Sequence, residues 1–246
     1  METIELEWTV LTWNLQGSKH TDIDAVARAI VAQRPDVVAL QEVRRDQAVA
    51  LARTLSMRFT WAFKHHPFSP FFIKRSEGAA ILTPHALDAA AHTVISDELS
   101  KRSYKRRIAQ WALVGRPDTS AYRIYNVHFS PHDAVEERRA EAERVSDLVV
   151  EHGDAPPAVV AGDLNAGPGE DVIGLLPGIE AIEVPPTNPS DAPTQHLDHV
   201  LVPPEARHVS VTVPGSSPEW SSLSDHLPVT VRFTLDWVRG DWPPGT

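Results

Sequence analysis

The sequence predicts an α/β fold in which two β-sheets stack face to face and helices cover their outer sides. About ten segments have the composition of short strands and three or four have helical spacing, and such an excess of strands is typical of stacked sheets. Hydrophobic residues make up 42% of the 246-residue chain, enough for a packed core. No internal repeat or interdomain linker is visible, so residues 1–246 are expected to form one domain.

The chain begins with alternating strand and helix signals. Residues 8–15 alternate as in a buried strand. Apolar residues then follow helical spacing between residues 23 and 30, after the candidate cap Asp22. The apolar run 36–40 is typical of a strand buried on both faces, and residues 48–57 predict a second helix.

The rest of the chain is dominated by short strands bounded by Gly, Pro or charged residues. These are residues 59–63, 78–83, 108–115, 122–129, 157–164, 197–202, 208–213 and 227–235. One long helix is predicted over residues 135–152. Its inner face is expected to carry Val135, Ala142, Val145, Leu148 and Val149.

Composition narrows the classes of function. The formal net charge of −10 argues against a protein that coats nucleic acid through bulk electrostatics. The chain has no cysteine, so a bound metal would need carboxylate, amide or imidazole ligands, and hard oxygen ligands favour magnesium, manganese or calcium. The N-terminus lacks a targeting pattern and no apolar run approaches the roughly 18 residues of a membrane span. We therefore expect a cytoplasmic protein.

Several predicted strands begin or end in an acid, amide or imidazole. Any one of these could be an ordinary surface group at a strand end. Two stacked sheets, however, place many strand ends on one rim, and converging carboxylates are stable around a divalent cation. The residues are Asn14, Glu42, His128, Asp163, Asn165, Asp198, Asp225 and His226.

The sequence blocks that contain these residues resemble the endonuclease/exonuclease/phosphatase superfamily. The blocks are TWNLQG, LQEV, NVHFS, GDLN, LDHVLV and SDHLPV, which occur in the family's order between residues 12 and 229. The LQEV block alone is weakly specific, whereas GDLN followed by LDHVLV and SDHLPV is specific. The resemblance implies an α/β fold of the deoxyribonuclease I-like kind, a four-layer α/β/β/α sandwich.

The resemblance also implies a metal centre. Glu42 would be the metal ligand, with Asn14 and Asp225 completing or supporting the shell directly or through water. Oxygen ligands suit Mg²⁺ or Mn²⁺, which would stabilise negative charge on the scissile phosphate. Gln16 stands where some DNA-repair members carry a second acid, which makes a two-metal site less favourable.

Catalytic roles are implied for five residues, namely His226, Asp198, Asp163, Asn165 and His128. His226 would face the phosphate, with Asp198 accepting its other ring proton. Either this pair or Asp163 would activate the water, and the sequence leaves that choice open. Asn165 would orient the water or a phosphate oxygen.

Substrate contacts are implied for His128, which matches a second imidazole that faces the phosphate, and for Arg107, which matches a phosphate-contacting arginine. Glu77 is a weaker candidate as an acid that orients His128. By contrast, His132 and His199 match no catalytic position and are expected to lie in a loop and on a strand surface.

Two stretches leave alternatives open. Residues 101–107 form the only concentrated positive patch, which is either a solvated face or a surface that steers phosphate. The aromatic segment 63–75 carries Phe68, Phe71 and Phe72, which could stack on bases, enter lipid or fill the edge of a sheet.

The first functional hypothesis is a divalent-metal-dependent nuclease or phosphodiesterase whose substrate is a phosphate ester, with nucleic acid as one candidate. The alternative is a phosphatase or phospholipase that acts on inositol phosphates or sphingomyelin-like lipids. A third hypothesis, a silent binding module on the same scaffold, is disfavoured because every catalytic position holds a competent residue type. We expect a monomer without a membrane span.

Overall fold

The computed structural model describes residues 3–17, 19, 21–66, 76–116, 121–131, 133–154, 156–167, 170–176 and 182–238. Within these residues the strands are β1 (Thr3–Asn14), β2 (Val37–Arg44), β3 (Arg58–His65), β4 (Glu77–Thr83), β5 (Ala86–Val94), β6 (Ile108–Gly115), β7 (Ala121–His128), β8 (Ala158–Asp163), β9 (Asp198–Leu201), β10 (Arg207–Thr212) and β11 (Val229–Val238). The α-helices are α1 (Ile23–Gln33), α2 (Arg45–Leu55), α3 (Val135–His152) and the short α4 (Pro218–Leu223).

The strands form two mixed sheets. Sheet A has six strands in the order β10-β11-β1-β2-β4-β3, and sheet B has five in the order β5-β6-β7-β8-β9. In sheet A, β1 pairs antiparallel with β11 and parallel with β2. In sheet B, β7 pairs antiparallel with β6 and parallel with β8, because α3 provides the crossover between β7 and β8.

The main core lies between the sheets and follows the period of two along each strand. On β1, Trp8 and Val10 point to the other sheet, whereas Leu11 and Trp13 point to the helices. The facing residues of sheet B include Ile124 in the same core cluster. Every strand in the middle of the sandwich is therefore buried on both faces, which explains its continuous apolar sequence.

Helices cover the outer faces. α1 and α2 bury their apolar sides against sheet A, and α3 buries Ala142, Val145 and Leu148 against sheet B. The Asp22 side chain caps α1 by accepting hydrogen bonds from the backbone N–H groups of Asp24 and Ala25. The order helix, sheet, sheet, helix confirms the four-layer sandwich expected from the sequence.

Three details differ from the expectations. Val135, the first residue of α3, is 50% exposed and does not pack inward. β5 has no predicted counterpart, since this edge strand is mostly exposed and alanine-rich and lacks a period-two pattern. β1 starts at Thr3, five residues before the predicted strand, where it pairs with the end of β11.

None of the helices in the described part of the chain combines the length and apolar character that a bilayer crossing requires.

Candidate active site

The polar cluster continues the inward-facing rows of the core toward one rim of the sandwich. On β1, Asn14 follows Trp8 and Val10 at even spacing, and on β7 His128 follows Ile124 in the same way. Asp163 follows the inward-facing residues of β8 at the end of that strand. Strand periodicity therefore brings these three polar side chains into the space between the sheets.

A buried layer of amides separates this rim from the apolar core. Gln41 donates to Oδ1 of Asn126 at 2.8 Å and to the hydroxyl of Thr12 at 3.0 Å. Asn126 in turn donates to the backbone oxygens of Leu40 and Ala80, each at 3.0 Å. These bonds join the sheets just beneath the polar cluster, and Oε1 of Gln41 is left without a hydrogen-bond partner among the described residues.

Glu42 reaches the rim through an irregularity in β2. The pairing of β2 with β4 shifts between Leu40 and Val43, and Glu42 has a φ of 49°. Left-handed φ is unfavourable for a residue with a side chain and occurs frequently at functional sites. Its carboxylate lies 3.8 Å from Nδ1 of His128.

The carboxylate of Asp163 stands at the centre of the cluster. Its Oδ2 accepts a hydrogen bond from Asn14 Nδ2 at 2.9 Å and lies 3.7 Å from Nε2 of His128 and 3.9 Å from Nε2 of His226. The preceding Gly162 has a φ of 152°, and a Cβ there would lie 1.9 Å from the Val127 carbonyl oxygen. The close approach of β7 and β8 at this glycine sets Asp163 beside His128.

His226 is held at its backbone and at its ring. Trp13 Nε1 donates to the His226 carbonyl oxygen at 2.8 Å. The ring nitrogen Nδ1 lies 2.7 Å from Asp198 Oδ2, which also accepts a hydrogen bond from the Thr187 hydroxyl at 2.5 Å. This arrangement fixes the ring so that Nε2 faces Asp163.

Burial and charge set the protonation of the cluster. Burial alone would lower the pKa of His226, but the charge and hydrogen bond of Asp198, followed by the charges of Asp163 and Asp225, raise it to about 10. Burial raises the pKa of Asp163 to about 6, against the opposing effect of the His226 cation. Burial and then the charges of Lys64 and Arg107 hold the pKa of His128 well below its usual value. The cluster thus contains one charged and one neutral imidazole.

The family model described as Endonuclease/Exonuclease/phosphatase family matches residues 11–226, which include every residue of this cluster. The chain belongs to this family. No curated protein matches the sequence.

Solved structures of the endonuclease/exonuclease/phosphatase family have the same fold. A family member from Bacteroides vulgatus is 21% identical with a TM-score of 0.76, covering 93% of this chain and 98% of the other. Truncated Caenorhabditis elegans TDP2 is 22% identical with a TM-score of 0.70, covering 92% and 97%. A mannosyl-6-phosphatase from Bacteroides thetaiotaomicron VPI-5482 is 18% identical with a TM-score of 0.69, covering 92% and 99%.

The family resemblance implied a set of site residues, and most of them lie together at the rim. Contacts within 4 Å link Asn14, Glu42, His128, Asp163, Asp198 and His226, and Asn165 donates its backbone N–H to Asp163 at 3.0 Å. The Asn165 side chain donates to the Phe129 carbonyl oxygen at 3.0 Å. Arg107 lies just before β6, and its charge acts on Glu42 and Asp163. Asp225 faces Gln16, whose Nε2 donates to Asp225 Oδ2 at 2.8 Å.

The donor atoms at the rim fit a hard cation. Oε1 of Gln16 is buried without a hydrogen-bond partner among the described residues, and it belongs to the amide group that contacts Asp225. An orphaned amide oxygen next to carboxylates suits Mg²⁺ or Mn²⁺. A second group, Asp163, Asp198 and His226, offers ligand atoms within 4.8 Å of one another, but Nδ1 of His226 is already engaged by Asp198.

Two expectations about single residues are corrected, and four further residues lie outside the described part of the chain. His199 is not a surface residue, because it is 6% exposed and its Nε2 contacts the backbone oxygens of Ala166 and His196. Glu77, the weaker candidate for orienting His128, instead lies 3.8 Å from His65, and no contact with His128 occurs among the described residues. The positions of His132, Phe68, Phe71 and Phe72 fall outside the described residues.

The positive stretch 101–107 divides into two parts. Lys101, Arg102 and Lys105 are exposed, as expected for a solvated face, whereas Arg106 and Arg107 are 6% and 7% exposed. Only the exposed part can be an ordinary solvated surface.

Sequence reasoning missed two supporting residues. Gln16 was noted only as a departure from a second acid, yet it holds Asp225 and contributes the orphaned oxygen. Thr187, in a proline-rich loop without a motif, holds Asp198. No sequence signal distinguishes Thr187 from its neighbours, because its partner lies 11 residues later on β9.

Proposed function

We propose that the chain is a divalent-metal-dependent hydrolase of phosphodiester bonds, with nucleic acid among its candidate substrates. Membership of a family of phosphoesterases supports hydrolysis of phosphate esters. The observation that carries the finer proposal is the position of Asp163 Oδ2, 3.9 Å from Nε2 of His226 and 2.9 Å from Nδ2 of Asn14. A buried carboxylate, a cationic imidazole and oxygen donors for a cation meet there.

Glu42, Asn14 and Asp225 would hold Mg²⁺ or Mn²⁺ through their oxygen atoms, with Gln16 beside them. When bound, the ion would supply Lewis-acid stabilisation of charge on the scissile phosphate. The chain's own residues would position the substrate and move the proton.

In this mechanism His226, oriented by Asp198, donates a hydrogen bond from Nε2 to a non-bridging phosphate oxygen. Asp163 accepts the proton of the attacking water, because its Oδ2 faces the same space and His226 is already protonated. Asn165 orients the water or a phosphate oxygen, and His128 and Arg107 contact the phosphate.

One observation favours the alternative, a phosphatase for a small phosphorylated alcohol. A cavity of about 640 Å³, lined by Arg107, Ser130 and Glu141 among others, lies between α3 and the loop before β6. Its volume suits a small molecule.

Hydrolysis of bis(p-nitrophenyl) phosphate, p-nitrophenyl phosphate and plasmid DNA with Mg²⁺, Mn²⁺ or EDTA tests the proposal. We expect diester or DNA cleavage that EDTA abolishes and that His226→Asn reduces by roughly 100-fold or more. The matched control is His208→Asn, because His208 is 74% exposed and contacts no site residue. Cleavage of the monoester alone would establish the phosphatase, and full activity of Glu42→Ala or of His226→Asn would refute the mechanism.

A further inference from the structure

Two cations near the rim are buried without a hydrogen-bond or ion-pair partner among the described residues. Lys64 is 4% exposed and Arg107 is 7% exposed. Neither side chain makes a hydrogen bond or an ion pair in the described parts of the chain, and Nε of Arg107 is fully buried and unsatisfied. Buried charges are normally paired, because removing an ion from water is strongly unfavourable.

The two cations are brought together by core packing at one corner of the sandwich. On β3, Ala62 faces sheet B and packs with Ala79 and Ile108. Lys64 follows Ala62 on the same face, and Arg107 directly precedes Ile108. Burial first and the charge of Arg107 second lower the pKa of Lys64 to about 8, and both cations, after burial, lower the pKa of His65.

Lys64 lies beside the catalytic cluster, whereas Arg107 is itself one of the proposed contacts of the scissile phosphate. In sheet A, β3 is two strands from β2, which carries Glu42, and the opposite direction leads to β11 and His226. Two strand spacings correspond to about 10 Å. The charges of Glu42 and Asp163 nonetheless act on both Lys64 and Arg107, so the two cations lie within electrostatic range of these carboxylates.

No carboxylate in the described part of the chain forms an ion pair with Lys64 or Arg107, although the charges of Glu42, Glu77 and Asp163 act on both from farther away and that of Glu141 acts on Arg107. Glu77 lies 3.8 Å from His65, and burial followed by the charge of Glu42 raises the pKa of Glu77. A methionine in place of Lys64 would fill similar space without a buried charge, so the lysine is unfavourable for the folded protein alone. An anion between Lys64 and Arg107 would give both cations the direct hydrogen-bonded partner that they lack among the described residues.

We propose that Lys64 and Arg107 form a binding site for a second phosphoryl group of the substrate, next to the one that is hydrolysed. The inference rests on the proposed function and narrows the substrate to a molecule with at least two phosphoryl groups. The second group is either the neighbouring phosphate of a nucleic-acid strand or a second phosphate on a small molecule. Arg107, with five N–H donors, can contact both phosphoryl groups.

The first test compares thymidine 5′-(p-nitrophenyl phosphate) with the same compound carrying a 3′-phosphate. For the wild type we expect the 3′-phosphate to lower KM about tenfold, as one charge-assisted contact would. Lys64→Met should lose this advantage and keep its kcat/KM on the singly phosphorylated compound within about twofold. Lys64→Arg should restore part of it, and Lys101→Met, which removes an exposed lysine, should behave as the wild type.

Equal loss on both thymidine compounds, or a retained 3′-phosphate advantage in Lys64→Met, would overturn the proposal. A parallel comparison of fructose 1-phosphate with fructose 1,6-bisphosphate separates the two sources. A Lys64-dependent advantage confined to the sugar would assign the site to small molecules, and one confined to the nucleotide would assign it to nucleic acid.

The second test does not need activity. For EDTA-treated protein, Lys64→Met should raise Tm, because a buried unpaired charge is removed, and should shrink the Tm increase that inorganic phosphate produces in the wild type. If Lys64→Met lowered Tm and left the phosphate-induced Tm increase undiminished, Lys64 would have a structural role and the proposed phosphoryl site would be refuted. This measurement remains decisive if no phosphate ester is hydrolysed, a result that would reject the proposed function by itself.

Discussion

Nε2 of His226 lies 3.9 Å from Oδ2 of Asp163, too far for a hydrogen bond and close enough for each charge to shift the pKa of the other. A side-chain hydrogen bond positions each of the two residues: Asp198 bonds His226, and Asn14 bonds Asp163. The facing atoms can therefore share a ligand without rearrangement of the site. Preorganisation of this kind is the main contribution that a protein makes to electrostatic stabilisation of a transition state.

Asp198→Asn should reduce kcat by roughly 100-fold or more with little change in KM, because the imidazole loses the carboxylate that orients and charges it. Thr187→Val removes only the hydroxyl that holds Asp198 and should cost about tenfold. Initial rates on the best substrate of the metal-supported assay measure both effects. If Thr187→Val lowered kcat as much as Asp198→Asn does, with an unchanged Tm, the result would contradict the expectation that the hydroxyl of Thr187 contributes less than the carboxylate of Asp198.

Gly162→Ala should lower the free energy of unfolding by about 3 kcal/mol and abolish activity. The added Cβ would lie 1.9 Å from the Val127 carbonyl oxygen and would force β7 and β8 apart, at the junction that sets Asp163 beside His128. Urea unfolding gives the measurement. Gly215→Ala is the control, because a Cβ there meets nothing within 4 Å, and its stability should be unchanged or raised by up to about 1 kcal/mol.

Mn²⁺ or Mg²⁺ should stabilise the metal-free protein. At an ion concentration of about 100 times Kd the gain is about 2.7 kcal/mol, or roughly 5 to 10 °C in Tm for a chain of this size. Glu42→Gln and Asp225→Asn should lose most of this shift, whereas Glu7→Gln, at a residue that is 68% exposed on β1, should retain it. Loss in Asp163→Asn with retention in Glu42→Gln would transfer the ion to the group of Asp163, Asp198 and His226.

The sequence predicted the layers of the fold because apolar periodicity is a local property. The hydrophobic pattern of a strand buried on both faces, or of a helix with one apolar side, is recognisable within about ten residues. β5 was not predicted, because an exposed edge strand needs no apolar pattern. Val135 was assigned to the wrong environment because helical periodicity does not show at which residue the packed face of a helix begins, and the first buried residue of α3 is Arg138.

The candidate site was predictable as a set of residue types, and its geometry was not. Period-two alternation along β7 and β8 accounts for His128 and Asp163 facing the same space. The hydrogen bonds that position the site residues join residues separated along the sequence, such as Gln16 with Asp225 and Thr187 with Asp198. No local sequence pattern encodes such pairs. The burial of Lys64 is likewise set by the opposing sheet, through the packing of Ala62 against Ile108.

The ion pairs of Asp36 should make stability depend on acid pH. Its Oδ1 lies 2.7 Å from Nε2 of His85 and 2.6 Å from Nη2 of Arg116, and its Oδ2 accepts from the Thr9 backbone N–H at 2.8 Å. Burial would raise the pKa of Asp36, but the bonds from His85 and Arg116 outweigh burial and hold the pKa below its usual value of 3.8. A carboxylate whose folded pKa is lowered stabilises the fold above its unfolded pKa and loses that effect as pH falls through the folded value.

We therefore expect Asp36→Asn to be less stable than the wild type by about 2 kcal/mol at every pH above about 5. The difference should shrink as pH falls below about 4, because protonation of the wild-type Asp36 removes the charge that the variant already lacks. Thermal unfolding of both proteins from pH 3 to pH 7 measures it, with Asp88→Asn, at an exposed position on β5, as the control. A stability difference that is as large at pH 3 as at pH 7 would show that Asp36 acts through packing and not through its charge.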